Sequence, residues 1–277
     1  MISQHDKQIL RRLASEIAEI AALPVQEEKR MLWTQLNRLK MKRPMVEIVQ
    51  VCWHEMPEDE LALRCEDPMA RLYEQTFRRV LYQWHHFPVD RVVDPFVRVP
   101  LAISNSGFGI ETQETIALTD AANDVVSHAF VNQFERDEDL EKIRLSVIRH
   151  DAAESERRMD QAHELFDGLI EVRAQGMVPY LSVWDPISMW MGVENVLYAL
   201  VDRPEFMLAM ARRMVNGYMA MLDQLEEQGL LTGPQSLIHC TGAFTDELPA
   251  KGFQPEKPRT KDIWMFGLAQ MFSTVSP

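Results

Sequence analysis

A short run of residues, Trp53-His54-Glu55, is the first group in the sequence whose residue types could carry chemistry. An aromatic ring can stack on a flat ligand, and an imidazole next to a carboxylate can move protons. The run follows an apolar segment that predicts a strand, and in α/β barrels the loops after the strands build the ligand site. We therefore predict His54 as catalytic and Trp53 and Glu55 as substrate-binding. The alternative is an ordinary surface loop.

A second group, Trp184-Asp185 before Pro186, also follows a predicted strand. The Asp185 carboxylate could hydrogen-bond a polar ligand, or it could cap the helix that follows, since Asp before Pro is typical of a helix start. The two roles are compatible. We predict Asp185 as catalytic, with Trp184 and Trp190 as substrate-binding residues.

The third group is His239-Cys240, which follows a short apolar run. Histidine and cysteine are zinc ligands, and a catalytic zinc takes three protein ligands and keeps one open position. Adjacent residues of a strand point to opposite faces, so both side chains reach one ion only if the strand has ended at His239. We predict His239 as catalytic and His239 with Cys240 as metal ligands. The alternative is a pocket-lining histidine beside a buried thiol.

The charge and composition of the chain limit the classes of partner that it can bind. The net charge of −13 argues against nucleic acid, which needs a basic surface. It leaves room for an anionic ligand at a local arginine cluster, although the Arg157-Arg158 and Arg212-Arg213 pairs fall within predicted helices and are expected to face solvent. The sequence shows no apolar run of about 18 residues, no secretory signal and no disulfide pattern among its three cysteines. These features favour a cytoplasmic protein without a membrane partner.

Apolar periodicity and helix-start signals divide the chain into alternating elements. Residues 1–43 form a predicted N-terminal helical preface, and residues 44–277 a predicted barrel domain. Helices are expected over 7–22, 24–41, 67–84, 151–176 and 185–200, and from Pro204 to Gly229. Strands are expected over 45–51, 92–103, 125–134, 178–184 and 236–240, and an apolar element of undecided type lies over 263–272.

The order of these elements after residue 151 favours a parallel α/β sheet. The length fits a (β/α)8 TIM barrel, which needs about 250 residues and eight strands. Four or five parallel strands can be counted. The sequence therefore predicts a TIM barrel that is incomplete at the C-terminus, with an uncovered strand near residue 270.

Six segments carry a resemblance to a known family. They read WHEM over 53–56, LYQWHHFPVD over 81–90, GFG over 107–109, DRPEFM over 202–207, IHCTG over 238–242 and AQMFSTVSP over 269–277. Together they resemble the uroporphyrinogen decarboxylase superfamily, in particular its decarboxylase-like branch in anaerobic bacteria, which is related to corrinoid methyltransferases. The similarity extends from about residue 10 to the end of the chain.

The resemblance implies a TIM barrel with its cleft at the C-terminal ends of the strands, and one of two reactions. The first is cofactor-free decarboxylation of the acetate arms of a tetrapyrrole in porphyrin biosynthesis, where arginines bind the carboxylates and an aspartate binds the pyrrole N–H groups. The second is methyl transfer between a corrinoid protein and a thiol, activated by a zinc ion that His-x-Cys and a distant Cys hold.

The chain departs from both patterns. Residues 46–53 lack the arginine of the decarboxylase signature. His239 matches the zinc histidine, but Thr241 stands where the first cysteine is expected and Cys240 is displaced by one position. The second cysteine would lie beyond Pro277.

From these features we predict corrinoid-linked methyl transfer to or from a thiol or a related small acceptor. The alternatives are uroporphyrinogen decarboxylation and a non-catalytic or truncated binding domain. The expected partner is a corrinoid protein or a tetrapyrrole substrate. Zinc is the expected cofactor of a methyltransferase, a decarboxylase would need none, and a homodimer is one option for assembly.

Overall fold

The structure, a computed structural model, describes residues 2–118 and 126–268. Its helices are α1 (Gln4–Ala21), α2 (Pro24–Asn37), α3 (Glu58–Leu61), α4 (Pro68–His86), α5 (Ala152–Phe166), α6 (Trp184–Met191), α7 (Val193–Asp202) and α8 (Pro204–Glu227). Its strands are β1 (Phe96–Pro100), β2 (Ile103–Asn105), β3 (Glu114–Ala117), β4 (Ser127–Phe130), β5 (Ile148–His150), β6 (Glu171–Gln175), β7 (Tyr180–Ser182), β8 (Leu237–Ile238), β9 (Thr241–Gly242) and β10 (Phe266–Leu268).

The predicted mixed α/β class is confirmed. Strands β1 and β6 pair in parallel, as do β7 and β10, while the pairs β2–β5, β3–β4 and β8–β9 are antiparallel. Within the described residues all of these sheets have two strands. None of the described helices is both long enough and apolar enough to cross a membrane.

The chain divides into two compact units. The first unit contains Met1–Ala102, Asp151–Met177 and Leu231–Trp264, and the second contains Ile103–His150, Val178–Leu230 and Met265–Pro277. The predicted preface, residues 1–43, lies within the first unit.

The core of the first unit packs α1, α4 and α5 against β1. Helix α1 begins where Ser3 accepts a hydrogen bond from the Asp6 N–H, and it buries an apolar stripe that includes Ile9, Leu13 and Ile17. This spacing of three to four residues places the stripe on one face of the helix. Helix α4 begins at the predicted cap, where the Asp67 carboxylate accepts from two backbone N–H groups.

The core of the second unit is built around α8. Its buried methionines recur at helical spacing and pack with residues of α6 and α7, with Phe134 and with Ile143. Pro204 occupies the first helical turn, and Gly229 follows the helix end with a φ of 68°. Both helix boundaries agree with the prediction, because proline suits a helix start and glycine suits the left-handed position after the end.

The predicted first strand, 45–51, is wrong. This segment has no regular secondary structure. Its backbone groups bond elsewhere: the Val46 N–H donates to the Asp90 carboxylate at 2.8 Å, and the Ile48 carbonyl accepts from Gln83 at 3.1 Å. Side-chain partners thus take the place of a strand ladder.

The predicted helix over 151–176 is too long. Helix α5 has the predicted cap, Asp151, but ends at Phe166, and Gly168 follows with a φ of 80°. Residues 171–175 form β6, which pairs with β1. The predicted helix over 185–200 is also two helices, because Gly192, at a φ of 77°, separates α6 from α7.

Several other expectations meet the structure in part. The strand expected over 92–103 corresponds to β1 and the start of β2, and the strand expected over 236–240 is limited to β8. Strand β4 lies in the segment predicted over 125–134, whose first residue, Val125, is outside the described residues, as are residues 269–277. The expectations for the strand near residue 270 and for the last resembling segment therefore stay predictions.

Candidate functional site

A cavity of about 590 Å³ lies in the first unit. Its walls come from α4, β1, residues 91–94 and parts of residues 235–244. Pockets for small molecules are typically about 300–1,000 Å³ and mostly apolar, with a few polar groups that fix the ligand. The cavity has this character, because apolar residues of α4 and β1 share its wall with a small set of charged side chains.

Strand β1 contributes residues from both of its faces to this cavity, Arg98 among them. Val97 and Val99 are buried in the core of the unit, so Phe96 and Arg98 lie on the other face of the strand. Arg98 is in register with Arg173 of β6. Both guanidiniums lie over the Phe96 ring, with Cζ at 4.7 Å for Arg98 and 3.9 Å for Arg173. Arg173 pairs with Glu171 at 2.7 Å and is not part of the cavity wall, so Arg98 is the charge that this strand pair contributes to the cavity.

The Arg98 guanidinium is only loosely held. Its Nη2 lies 3.5 Å from the Asp94 carboxylate and 3.5 Å from the Ser236 hydroxyl, and Ser236 donates a short hydrogen bond of 2.5 Å to that same carboxylate. Burial lowers the pKa of Arg98, although the Asp94 charge opposes this. Arginine keeps its charge in proteins and carries five N–H donors. Arg98 is therefore equipped to bind an anionic ligand group.

A second charged group, Glu47 and Arg91, also lines the cavity. The Arg91 Nη1 donates to the Glu47 carboxylate at 3.3 Å, and the Glu47 side chain is only 4% exposed. Burial raises the pKa of Glu47, while the positive charges of Arg91 and Lys29 act in the opposite direction. Lys29 is tied nearby, since its Nζ donates to the Arg91 carbonyl at 3.1 Å.

The first predicted site lies in the same unit as the cavity but is not part of its wall. Trp53, His54 and Glu55 form a single 3₁₀ turn. Trp53 packs edge-on against Tyr82 at a centroid distance of 6.0 Å, with the Arg79 guanidinium 5.0 Å from its ring. The His54 Nε2 lies 3.5 Å from the Glu55 carboxylate, and both residues are exposed. Their roles as catalytic and substrate-binding residues stay predictions.

The second predicted site belongs to the second unit. Asp185 lies in the first turn of α6 and is not its N-cap, which is Val183. The Asp185 carboxylate accepts a hydrogen bond from the Tyr180 hydroxyl at 3.3 Å. Trp184 is half-buried, whereas Trp190 is buried in the core against Phe134. The predicted gathering of Asp185 with residues of the first unit stays a prediction.

The third predicted site is the turn between β8 and β9. The strand ends at Ile238, and His239 has a φ of 49°, in the left-handed region. The condition for both side chains to reach one ion, that the strand has ended at His239, is therefore met. His239 and Cys240 are both exposed. Across the described residues, however, no group of three or more His, Cys, Asp and Glu side chains could hold a metal ion.

The residues that line the cavity were largely missed by the sequence reasoning. Arg158 was expected to face solvent, but it lines the cavity and donates to the Pro100 carbonyl at 3.1 Å, while its neighbour Arg157 is exposed. The usable signal is the charged residue Arg98 within the otherwise apolar strand β1. Glu47 gave no such signal, because its burial depends on residues distant in sequence.

Comparisons of the chain with protein families, with curated proteins and with solved structures found no match. Function is therefore inferred from the residues of the cavity and from the sequence motifs.

Proposed function

We propose that the chain is a small-molecule enzyme that binds a largely apolar ligand carrying carboxylate groups, and that Arg98 anchors one of those groups in the cavity. The observation that supports this most strongly is Arg98 itself, a charged side chain on an apolar cavity wall whose two polar contacts are both 3.5 Å long. A ligand carboxylate could form the shorter, charge-assisted contacts that this guanidinium lacks.

A tetrapyrrole with acetate arms belongs to this ligand class. The resemblance to the uroporphyrinogen decarboxylase superfamily leads to the same class and to a TIM barrel, and both are part of the proposal. The arginines of the cavity, Arg91, Arg98 and Arg158, come from outside residues 46–53, where the decarboxylase signature arginine is missing. We therefore favour cofactor-free decarboxylation over the other reactions considered.

In this reaction the bond between the acetate methylene and its carboxylate carbon breaks, CO₂ leaves, and a proton from water replaces it on the methylene carbon. The pyrrole can accept the electron pair of the broken bond once a proton has added to the ring carbon next to the one that carries the acetate arm. It returns that proton to solvent when the methylene carbon takes up its own. Arg98 would orient the ligand through a carboxylate that is retained, because a strong contact with the leaving carboxylate would stabilise the ground state.

The test uses coproporphyrin III, a fluorescent tetracarboxylate, as the binding probe. Arg98→Gln removes a charge-assisted contact of about 1.5–3 kcal/mol, so we expect the Kd to rise roughly 10- to 100-fold. Arg212→Gln is the control, because Arg212 is an exposed arginine of α8 in the second unit, and it should leave the Kd unchanged. Equal affinity of Arg98→Gln and the unsubstituted protein would contradict the proposal.

Corrinoid-linked methyl transfer is the second candidate, because His239 and Cys240 follow directly on the end of β8. These two residues supply at most two of the three protein ligands of a catalytic zinc. If this candidate is correct, the purified protein should bind one zinc ion, and His239→Ala should lose it while His163→Ala, an exposed histidine of α5, retains it. Elemental analysis that finds no zinc in the zinc-supplemented protein would exclude this candidate.

A further inference from the structure

The pair of Glu47 and Arg91 is a second charged group on the cavity wall, and anchoring of a ligand at Arg98 does not use it. Its hydrogen bond, at 3.3 Å, is long for a contact between ionised groups, which is typically about 2.7–2.9 Å. The Glu47 carboxylate is nevertheless almost completely buried. An ionised carboxylate that is buried depends strongly on its cation, because it has exchanged water for a single weak partner.

The charges that act on Glu47 come from three residues of the first unit. Arg91 and Lys29 favour the ionised carboxylate, whereas Asp90 disfavours it. Asp90 is itself held by a bidentate contact with Arg43, at 2.6 and 2.9 Å. The other charged residues of the cavity wall are Asp94, Arg98 and Arg158. Arg91 is thus the cation in direct contact with Glu47, and it is also a residue that a ligand in the cavity can reach.

We propose that Glu47 takes up a proton when a ligand carboxylate engages Arg91, so that ligand binding in this cavity is coupled to proton uptake. This rests on the proposed function, because it needs an anionic ligand in the cavity. The proton comes from solvent and converts the Glu47 carboxylate to a carboxylic acid, with no other bond made or broken. The ligand carboxylate takes over Arg91, and neutral Glu47 no longer needs a cation.

This coupling defines the ligand class further. Neutral Glu47 has an O–H donor that an ionised carboxylate lacks. With Arg98 and Arg91 as separate cations on one cavity wall, the cavity is suited to a ligand with at least two carboxylates. A monocarboxylate would occupy Arg98 alone and would leave the pair of Glu47 and Arg91 intact.

The test is the pH dependence of coproporphyrin III binding, from about pH 5 to about pH 8. Uptake of one proton makes the affinity fall by up to about tenfold per pH unit as the pH rises. The steepest dependence is expected between the pKa of Glu47 in the free protein and its higher pKa in the complex. Glu47→Gln cannot titrate and should remove this component of the slope. Glu27→Gln is the matched control, since Glu27 forms a carboxylate–arginine pair with Arg30 on the exposed surface of α2.

Two further variants, Glu47→Asp and Arg91→Gln, test the same coupling, so the result does not depend on Glu47→Gln alone. Glu47→Asp keeps a titrating group and should retain part of the slope, whereas Arg91→Gln removes the group that the ligand and Glu47 compete for and should flatten it. If the porphyrin binds through Arg98 but Glu47→Gln has the same slope as the unsubstituted protein, the proton coupling is wrong and the proposed function stands. If the porphyrin does not bind at all, both are wrong.

Discussion

The two compact units differ in how they hold their cores together. In the first unit, buried polar side chains such as Asp6, Gln26 and Glu74 bond to backbone groups of distant segments. The second unit also has side chains that bond to the backbone of distant segments, such as Gln224, but its buried core consists largely of apolar residues, with methionines of α8 such as Met210. Methionine is flexible and adapts to its neighbours, whereas a buried hydrogen bond requires one geometry.

This difference bears on where a binding site can be built. The cavity borders segments without regular structure, and a cavity keeps its shape only if such segments have fixed positions. In the first unit, Asp90 and Gln83 bond to the backbone of residues 46–48, and Glu74 bonds to the backbone of residues 64–65. We infer that buried polar groups make the first unit rigid enough to hold charged residues beside an apolar cavity.

The largest loss of stability is expected from Glu74→Gln in the first unit. The Glu74 carboxylate accepts 2.8 Å hydrogen bonds from the N–H groups of Arg64 and Cys65 and from the Arg78 side chain. Burial opposes ionisation of Glu74, but these hydrogen bonds outweigh it and its pKa is lowered. Glutamine carries no negative charge and has only one acceptor oxygen, so it leaves the buried Arg78 cation without a counter-charge, which typically costs about 3–5 kcal/mol of unfolding free energy.

The comparison is Met210→Leu in the second unit, a swap of similar volume at a fully buried position. Such swaps usually cost less than about 1.5 kcal/mol. Urea unfolding would measure the loss of stability in both variants. Hydrogen exchange of peptides from each unit would show which unit is affected. If Met210→Leu destabilised the protein as much as Glu74→Gln, the proposed contrast between the cores would be refuted.

A smaller loss of stability is expected from alanine substitution of two glycines that each face an aromatic ring. A Cβ at position 242 would lie 2.5 Å from Trp33, whose ring is buried and whose Nε1 donates to the Asp90 carbonyl at 2.9 Å. Because this ring cannot shift without losing its hydrogen bond, Gly242→Ala should cost about 1–3 kcal/mol. Both residues line the cavity, so probe binding should weaken as well.

In the second unit, a Cβ at Gly217 would meet the Phe108 side chain. Phe108 is half-buried and packs by ring contacts with Tyr218 and Trp190, so its ring can shift without losing a hydrogen bond. Alanine also favours the helix by about 1 kcal/mol over glycine, which offsets part of the crowding. Thermal unfolding should therefore show a smaller loss for Gly217→Ala than for Gly242→Ala, and the reverse order would count against the contrast.

The elements that could be predicted from the sequence are those fixed by local signals. Asp67-Pro68 marks the start of α4, and Pro204 and Gly229 mark the limits of α8, because caps and fixed φ angles act within a few residues. Strand β6 was missed because its partner β1 lies about 75 residues earlier. Residues 45–51 looked like a strand because the sequence does not reveal that Asp90 and Gln83 supply their hydrogen bonds.

The candidate site residues also divide into those that the sequence indicates and those that only the folded structure reveals. Trp53, His54, Asp185 and His239 belong to short motifs at predicted strand ends, and Asp185 does lie in the first turn of the helix that follows β7. Burial in the folded first unit shifts the pKa of both Arg98 and Glu47, and neighbouring charged residues act on each of them. Such properties arise from contacts between distant segments, and residue type and spacing alone do not encode them.

The central claim is that Arg98 anchors a carboxylate ligand in the cavity of the first unit. A crystal structure of the protein grown with coproporphyrin III tests it most directly. We predict electron density for the porphyrin in the cavity, with a carboxylate within hydrogen-bond distance of the Arg98 guanidinium and a second one at Arg91. Density on another surface, with the cavity containing only water, would contradict the claim.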